Sequence, residues 1–160
     1  MKVGIIADTH DNLPMIKRAL DIFTAHGVGA ILHAGDFVAP FALKELLKPG
    51  IRLVGVFGNN DGEKAGLKEL CREVHEAPYL FELGSRNILI THYIESVRDT
   101  LRKKADIVIS GHTHEPEIQE GKPLCINPGE CGGWLYGKPS VAIVDLSTSG
   151  GLEAHVIFLS

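Results

Sequence analysis

The sequence lacks the long apolar runs that would place a protein in or across a membrane. No apolar run approaches the roughly 20 residues that a membrane-spanning helix needs. The apolar stretch near the N-terminus covers only residues 3–7 and an acidic residue follows it at once. A secretory signal has a longer apolar region and a small-residue cleavage site. We therefore expect a cytoplasmic protein without a membrane partner.

The sequence is also poor in cysteine and has no large charge excess. Its three cysteines, Cys71, Cys125 and Cys131, form no Cys-x-x-Cys pair, which argues against a disulfide framework and against a thiolate zinc site. The net charge of −4 does not indicate a nucleic-acid-binding protein. An apolar share of 44% is ordinary for a globular protein, and 160 residues suit one domain, so we expect residues 1–160 to form a single domain.

The first half of the chain alternates between strand patterns and helix patterns. Short apolar runs at residues 3–7, 30–33 and 52–57 predict buried strands. Helices are predicted to begin at Pro14 and Pro40, because the first turn of a helix does not need the N–H that proline lacks. Strands and helices in this alternation predict right-handed βαβ units and a parallel sheet.

The second half of the chain is richer in strands. One helix is predicted there, which Ser96 could cap with Asp99 three residues further on. The whole pattern predicts an α/β fold in which two sheets pack face to face with helices outside. The candidate strands of this half lie at residues 73–75, 79–83, 87–91, 107–109, 116–119, 124–127, 141–146 and 152–158.

Polar side chains of a particular kind follow five of the predicted strands. In open α/β sheets the ligand site lies outside the carboxyl ends of the strands, so residues that follow different strands can converge there. Each motif alone is weak, since a lone Gly-Asp is usually a turn. Their joint occurrence at strand ends is much more specific. The residues are Asp8 and His10, Asp36, Asn59 with Asn60 and Asp61, His92, and His112 with His114.

These residue types indicate a metal centre. Aspartate, asparagine and histidine without thiolates form the ligand set of catalytic Mn, Fe, Zn, Ni or Co ions. Members of an i, i+2 pair on extended backbone point to the same side, as a shared ion would require. Seven candidate ligands over-supply one ion but suit two, with Asp36 as the natural bridge. The seven are Asp8, His10, Asp36, Asn59, His92, His112 and His114.

The motifs, taken in order, resemble those of the calcineurin-like metallophosphoesterase superfamily. The short chain and the segment at residues 127–129, Asn-Pro-Gly, resemble the small YfcE/MJ0936-type phosphodiesterase subfamily. The resemblance covers essentially the whole chain and implies a four-layer α/β/β/α sandwich of two mixed sheets with flanking helices. The motifs that carry it are Asp8-x-His10, Gly35-Asp36, Gly58-Asn59-Asn60-Asp61, His92 and Gly111-His112-Thr113-His114.

The resemblance also implies a role for each ligand. Asp8, His10 and His114 would hold a first ion. Asn59, His92 and His112 would hold a second, and Asp36 would bridge the two. The implied activity is that of a two-metal phosphodiesterase in which a metal-bound hydroxide attacks the phosphorus of a small phosphate diester in line. Mn²⁺ or Ni²⁺ is favoured among the possible ions.

The chain departs from the family pattern in three places. Many relatives have a catalytic His where this chain has Asn60, which can donate a hydrogen bond but cannot act as a general acid. Asn60 and Asp61 are nevertheless the expected catalytic residues beside the ions. A second His often follows His92, but here the segment continues with Tyr93 and Ile94. Glu130 replaces the usual Ser after Asn-Pro-Gly, and the sequence offers no interpretation of it.

Two other functions stay open at this point. The chain could be a phosphomonoesterase or phosphatase, although those relatives usually add an Arg near the motifs. It could be a protein-interaction scaffold like the retromer subunit Vps29, although a scaffold has no need of a complete ligand set. A homo-oligomer is possible. His33 could be an ordinary core residue or could support the site, and Trp134 and Tyr136 could anchor a loop or contact a substrate or a second subunit.

Overall fold

The apolar runs of the sequence form eleven strands among the residues that the computed structural model describes, which are 1–147 and 151–159. The helices are α1 (Leu13–Ala25), α2 (Pro40–Leu47), α3 (Lys64–Leu70) and α4 (Asp99–Arg102), with a 3₁₀ turn at Ile94–Ser96. The strands are β1 (Lys2–Ile6), β2 (Ala30–His33), β3 (Arg52–Val56), β4 (Val74–His75), β5 (Tyr79–Leu83), β6 (Arg86–Ile90), β7 (Ile107–Ile109), β8 (Pro116–Gln119), β9 (Leu124–Pro128), β10 (Ser140–Asp145) and β11 (Glu153–Phe158).

The strands assemble into two mixed sheets. The first sheet has the order β11-β10-β1-β2-β3-β4, with β1 to β4 parallel and with β10 and β11 joined through antiparallel pairs. The second has the order β5-β6-β7-β9-β8, with β6, β7 and β9 parallel and antiparallel strands at both edges. The prediction of two mixed sheets is confirmed.

The layers follow from alternation along the strands. In β1, Val3 and Ile5 pack between the two sheets, whereas Ile6 packs under α1 and α2. On the outer face of the second sheet, Val97 and Ala105 lie against Leu89 and Val108. The order helix, sheet, sheet, helix is therefore the predicted four-layer sandwich, with a thin fourth layer. Among the described residues, none of the helices is long and apolar enough to cross a membrane.

Two local expectations need correction. Helix α3 was not predicted, because Leu67 is its only buried residue and one apolar position makes no periodic pattern. The expectation that Ser96 caps the later helix was wrong. Its hydroxyl donates instead to the carbonyl of Tyr93, 2.8 Å away, and α4 begins at Asp99 after Arg98, without a side-chain cap.

The parallel strands bring their carboxyl ends to one edge of the sandwich. β1, β2 and β3 are in register, with Ile6 opposite His33 and His33 opposite Gly55. In the second sheet, β6 and β7 run parallel, with Ile90 opposite Ile109. The loops that follow these five strands therefore leave the sheets close together.

The packing of β1 under α1 gives a test of this fold. A Cβ at Gly4 would lie 2.8 Å from two atoms of the Phe23 ring, which is fully buried and cannot move aside. We predict that Gly4→Ala lowers the free energy of unfolding by about 1–3 kcal/mol, measured by chemical denaturation. Gly62→Ala is the matched control, because a Cβ there meets no atom of the described residues within 4 Å. Similar losses in both variants would contradict the steric account.

Candidate metal centre

Main-chain hydrogen bonds tie the loops at this edge to one another. The amide of Asp8 donates to the carbonyl of Gly35 over 3.0 Å, and the amide of His10 donates to the carbonyl of Asp36 over 3.1 Å. The amide of Gly111 donates to the carbonyl of His92 over 3.2 Å. Four of the five loops are thus joined in two pairs by their backbones, independently of any ion.

The backbone at the site adopts an unusual conformation. Positive φ angles occur at five of the seven candidate ligands: Asp8 (51°), His10 (39°), Asp36 (61°), His112 (71°) and His114 (64°). The left-handed region is unfavourable for residues with a Cβ, and such strain collects at functional sites. The expectation that the two i, i+2 pairs lie on extended backbone was therefore wrong. The turns that carry them, rather than a strand, direct their side chains.

A first group of ligand atoms comes from Asp8, His10 and His114, within 4.8 Å of one another. Nε2 of His114 lies 3.4 Å from Oδ1 of Asp8, and Nε2 of His10 lies 3.8 Å from the same oxygen. The two imidazole rings stack with centroids 5.4 Å apart. This group matches the set that the resemblance implied for a first ion.

A second group comes from Asp8, Asp36 and His92. Oδ2 of Asp36 lies 3.4 Å from Nε2 of His10 and 3.5 Å from Nε2 of His92, so it stands between the two groups. Asn59 joins the second group through its Oδ1, which is 2.9 Å from Nε2 of His92. Asp8 belongs to both groups and Asp36 contacts a histidine of each, so the groups overlap as a pair of neighbouring ions requires.

His112 lies at the rim of the second group. It belongs to neither of the two groups found among the described residues. Its exposed ring is 5.2 Å from the ring of His92 and 4.2 Å from the ring of Tyr93, measured between centroids. Its backbone amide donates to Oδ2 of Asp8 over 3.1 Å. Tyr93 therefore shapes the rim beside His112.

Two buried atoms at the centre of the site fit a cation. Oδ1 of Asp8 and Nε2 of His10 are buried and have no hydrogen-bond partner among the described residues. Such atoms are costly to bury unless something satisfies them. Burial raises the pKa of Asp8 to about 6, although His92 and His114 act in the opposite direction. A divalent ion in contact with these atoms would satisfy both, and the oxygen and imidazole donors suit a transition metal.

Asp36 is stabilised as a carboxylate. Burial by itself would raise its pKa, but hydrogen bonds from His92 and from Asn60 hold that pKa well below the usual range. The backbone amide of Asn60 donates to Oδ1 of Asp36 and its side-chain amide donates to Oδ2, both over 2.8 Å. Asn60 therefore contacts the proposed bridging residue directly.

Asp61 holds the loop that carries Asp36. Its buried carboxylate accepts backbone hydrogen bonds from Asp36 (2.9 Å), Gly58 (2.7 Å) and Val38 (2.8 Å). These three amides belong to two different loops, so one carboxylate joins the turn after β2 to the turn after β3. The geometry assigns Asp61 a structural task beside Asp36.

Glu130 is a site residue that sequence reasoning missed. It is fully buried, and Nδ1 of His114 donates to its Oε2 over 2.9 Å. Burial would raise the pKa of Glu130, but hydrogen bonds from His114 and from the amides of Tyr136 and Leu135 lower it overall. The carboxylate keeps a proton on Nδ1 of His114 and leaves Nε2 free to face Asp8. Only the folded loop reveals this contact.

His33 supports the site from beneath. Its Nδ1 accepts from the amide of Gly35 over 3.2 Å, so its Nε2 carries the proton and donates to the hydroxyl of Thr9, also over 3.2 Å. That hydroxyl donates in turn to the carbonyl of Asp36 over 3.2 Å. Burial lowers the pKa of His33 to about 3, so the ring is neutral. Of the two readings left open for His33, its contacts favour the supporting one.

Comparisons with known proteins agree with this geometry. A model of the calcineurin-like phosphoesterase superfamily domain matches residues 1–149. Phosphodiesterase MJ0936 of Methanocaldococcus jannaschii is 40% identical over 154 residues, which span 91% of this chain and 93% of that protein. A solved structure described as a novel archaeal phosphodiesterase is similar with a TM-score of 0.88 and 38% identity, covering 99% of this chain and all of the other.

A second solved structure shares the fold at lower identity. YfcE, a phosphoesterase from E. coli, has a TM-score of 0.75 and 20% identity over the full length of both chains. The family model covers most of the chain, the archaeal relative exceeds 30% identity, and the ligand motifs converge at one sheet edge. The chain belongs to the calcineurin-like phosphoesterase superfamily.

Proposed function

We propose that this chain is a phosphodiesterase that uses two divalent metal ions, Mn²⁺ or Ni²⁺ by preference, to hydrolyse small phosphate diesters. The observation that carries the proposal is the pair of overlapping ligand groups, which share Asp8 and hold two buried atoms without partners. The family implies divalent ions, and the relative that is 40% identical is named a phosphodiesterase.

Each ligand has a proposed ion. Asp8, His10 and His114 would hold the first. Asn59 and His92 would hold the second, which His112 would complete from the rim, and Asp36 would bridge the two. When bound, two ions supply positive charge against the phosphate and a strong nucleophile at neutral pH.

The protein's own groups set the forms of the ligands. Nδ1 of His92 is 2.8 Å from the carbonyl of Ala34 and therefore carries a proton, so Nε2 would be the ligand atom. Burial opposes it, but the hydrogen bond to Asp36 raises the pKa of His92 without an ion, so an ion would displace the proton on Nε2. Glu130 has the same effect on His114. Burial lowers the pKa of His10 and so favours its neutral form. Neutral imidazoles and ionised carboxylates are the forms that bind metal.

Asn60 and Asp61 have different proposed tasks. The side-chain amide of Asn60 is beside Asp36, from where it can donate a hydrogen bond to a phosphate oxygen but cannot protonate a leaving group. Asp61 acts as a positioning residue, because both its oxygens accept from backbone amides. The leaving oxygen therefore departs without a general acid from this motif.

The alternatives are less well supported. A phosphomonoesterase needs a basic clamp for a dianion, but Lys64, the basic residue nearest in sequence to the motif of Asn59, pairs with Glu76 over 2.9 Å. The scaffold alternative is not favoured, because a surface for protein assembly does not require buried, strained ligand residues with unsatisfied atoms.

The direct test is a metal-supplemented activity screen. Protein stripped with a chelator and verified as metal-free should be inactive, and Mn²⁺ or Ni²⁺ should restore hydrolysis of diesters more than of monoesters. His10→Ala, treated identically, serves as a control for activity from contaminating enzymes. Full activity in the metal-free sample, or no diester hydrolysis with any divalent ion, would contradict the proposal.

Glu130 provides a test of how the first ion is held. Glu130→Gln keeps the size of the side chain but removes the charge that holds the proton on His114. Isothermal titration with Mn²⁺ measures the affinity of each of the two sites. We predict that the affinity of the site that is affected more falls about 10- to 100-fold. Glu120→Gln, an exposed carboxylate far from the motifs, is the control. Equal affinities in wild type and Glu130→Gln would show that the contact does not tune His114.

Asn60 provides a test of leaving-group preference. General acid catalysis is typically worth roughly 100- to 10,000-fold, and a phenolate of low pKa needs that help least. We therefore predict that wild type prefers aryl over alkyl diesters. Asn60→His should raise kcat for alkyl diesters at least about tenfold more than for aryl diesters. Asn60→Gln, which keeps an amide, should not. Equal gains on both substrate types would mean that this position does not set the preference.

A further inference from the structure

An exposed tryptophan lies beside the proposed metal centre. Trp134 is 64% exposed and is the only tryptophan of the chain. Its indole N–H donates to the carbonyl of His10, a proposed ligand, over 3.2 Å. None of the ring contacts found in the described part of the chain involves Trp134. One edge of the indole is therefore anchored to the site, while much of its surface is open to solvent.

The loop that carries Trp134 is rigidly attached to the ligand loop after β1. The amide of Gly132 donates to the carbonyl of Asp8 over 3.0 Å, and Asn12 donates to the carbonyl of Gly132 over 2.7 Å. A Cβ at Gly132 would lie 2.9 Å from Cδ1 of Trp134 and 3.0 Å from the carbonyl oxygen of Asp8, so only glycine allows this approach. The indole is thus held in place before any ligand arrives.

The buried carboxylate of Glu130 fixes the far side of the same loop. It accepts from the amide of Leu135 over 3.0 Å and from the amide of Tyr136 over 2.7 Å, and it also accepts from His114. One carboxylate therefore sets both a proposed metal ligand and the loop of the exposed ring. An exposed side chain on a loop held so firmly loses little conformational entropy when a ligand packs on it.

We propose that Trp134 is a stacking platform for a planar aromatic group, an aryl ring or a nucleobase, that is esterified to the phosphate of the substrate. This rests on the proposed phosphodiesterase function and narrows its substrate class. An aromatic face stacks on any planar π-system with little dependence on its identity. Because the anchored edge of the indole touches His10, a group linked to a phosphate at the ions is within its reach.

A second copy of the chain is the competing occupant, since Leu135 and Tyr136 are also exposed, at 67% and 53%. The substrate is favoured over a second copy as the group that packs on Trp134, because the loop of Trp134 is directly connected to the metal centre. The indole N–H donates to the loop that carries His10. The loop of Trp134 is also hydrogen-bonded to Asp8, through Gly132, and to His114, through Glu130. A surface meant only for a second copy needs neither link.

The test uses one substrate and two inhibitors that differ in an aromatic ring, so that the leaving group is the same throughout. The Mn²⁺-loaded protein is assayed on 4-nitrophenyl methyl phosphate in the presence of phenyl phosphate or of methyl phosphate. Trp134→Ala should raise the inhibition constant of phenyl phosphate about 3- to 10-fold more than that of methyl phosphate. Leu135→Ala, an equally exposed neighbour without a ring, should leave the ratio of the two inhibition constants unchanged.

Binding is measured separately from turnover through the fluorescence of Trp134, with the metal already present in the baseline. Phenyl phosphate should change this fluorescence saturably, whereas methyl phosphate should not, and adenosine monophosphate distinguishes a nucleobase from a simple aryl ring. If the diester is not hydrolysed, the proposed function fails and the fluorescence titration alone tests whether Trp134 is a stacking platform. Equal changes of the two inhibition constants, or no fluorescence response to either aromatic phosphate, would overturn the proposal. So would a fluorescence that changes with protein concentration together with a rise in molecular mass, because a second copy of the chain would then cover the ring.

Discussion

The buried carboxylate of Asp8 is the constraint on which the rest of the site depends. It lies at the edge where the ligand loops of the two sheets meet, and its Oδ1 has no hydrogen-bond partner in the part of the chain that the structure describes. Burial raises its pKa to about 6, so above that pH the ionised group destabilises the metal-free fold, and this destabilisation diminishes as the pH falls through about 6. The fold thus keeps a group in an environment that suits it only beside a cation.

The surrounding structure keeps the ligands in place against this strain. The turns that carry Asp8 and Asp36 have positive φ angles, and backbone hydrogen bonds link them directly. Three side chains brace them further: His33 through Thr9, Asp61 through backbone amides, and Glu130 through His114. Preorganisation of this kind lets a site bind ions without reorganising when they arrive. The stability of both sheets is the source of that rigidity, because each ligand loop begins where a buried strand ends.

Much of the fold could be predicted because its signals are local. The apolar runs that form β1, β2 and β3 are continuous, and proline falls in the first turn of both α1 and α2. Helix α3 could not be predicted from one buried leucine. Ser96 was misread because a serine three residues before an aspartate is compatible with a helix cap and also with the 3₁₀ turn observed.

The site was predictable in composition and less so in geometry. Strand ends identified the residues that converge, since parallel strands deliver them to one edge. The extended backbone assumed for the His112 and His114 pair does not occur, and the two rings separate, one toward Tyr93 and one toward Asp8. Glu130 contacts His114 and the amide of Tyr136 only because the loops fold against each other. No rule of residue spacing in the sequence predicts these contacts.

The central claim is that two ions share the buried aspartates at this sheet edge. It is tested most directly by anomalous diffraction from crystals of the protein grown with Mn²⁺. The account predicts two anomalous peaks per chain, one beside His10 and His114 and one beside Asn59 and His92, with Asp36 contacting both. A single peak, or two peaks of which only one contacts Asp36, would contradict it.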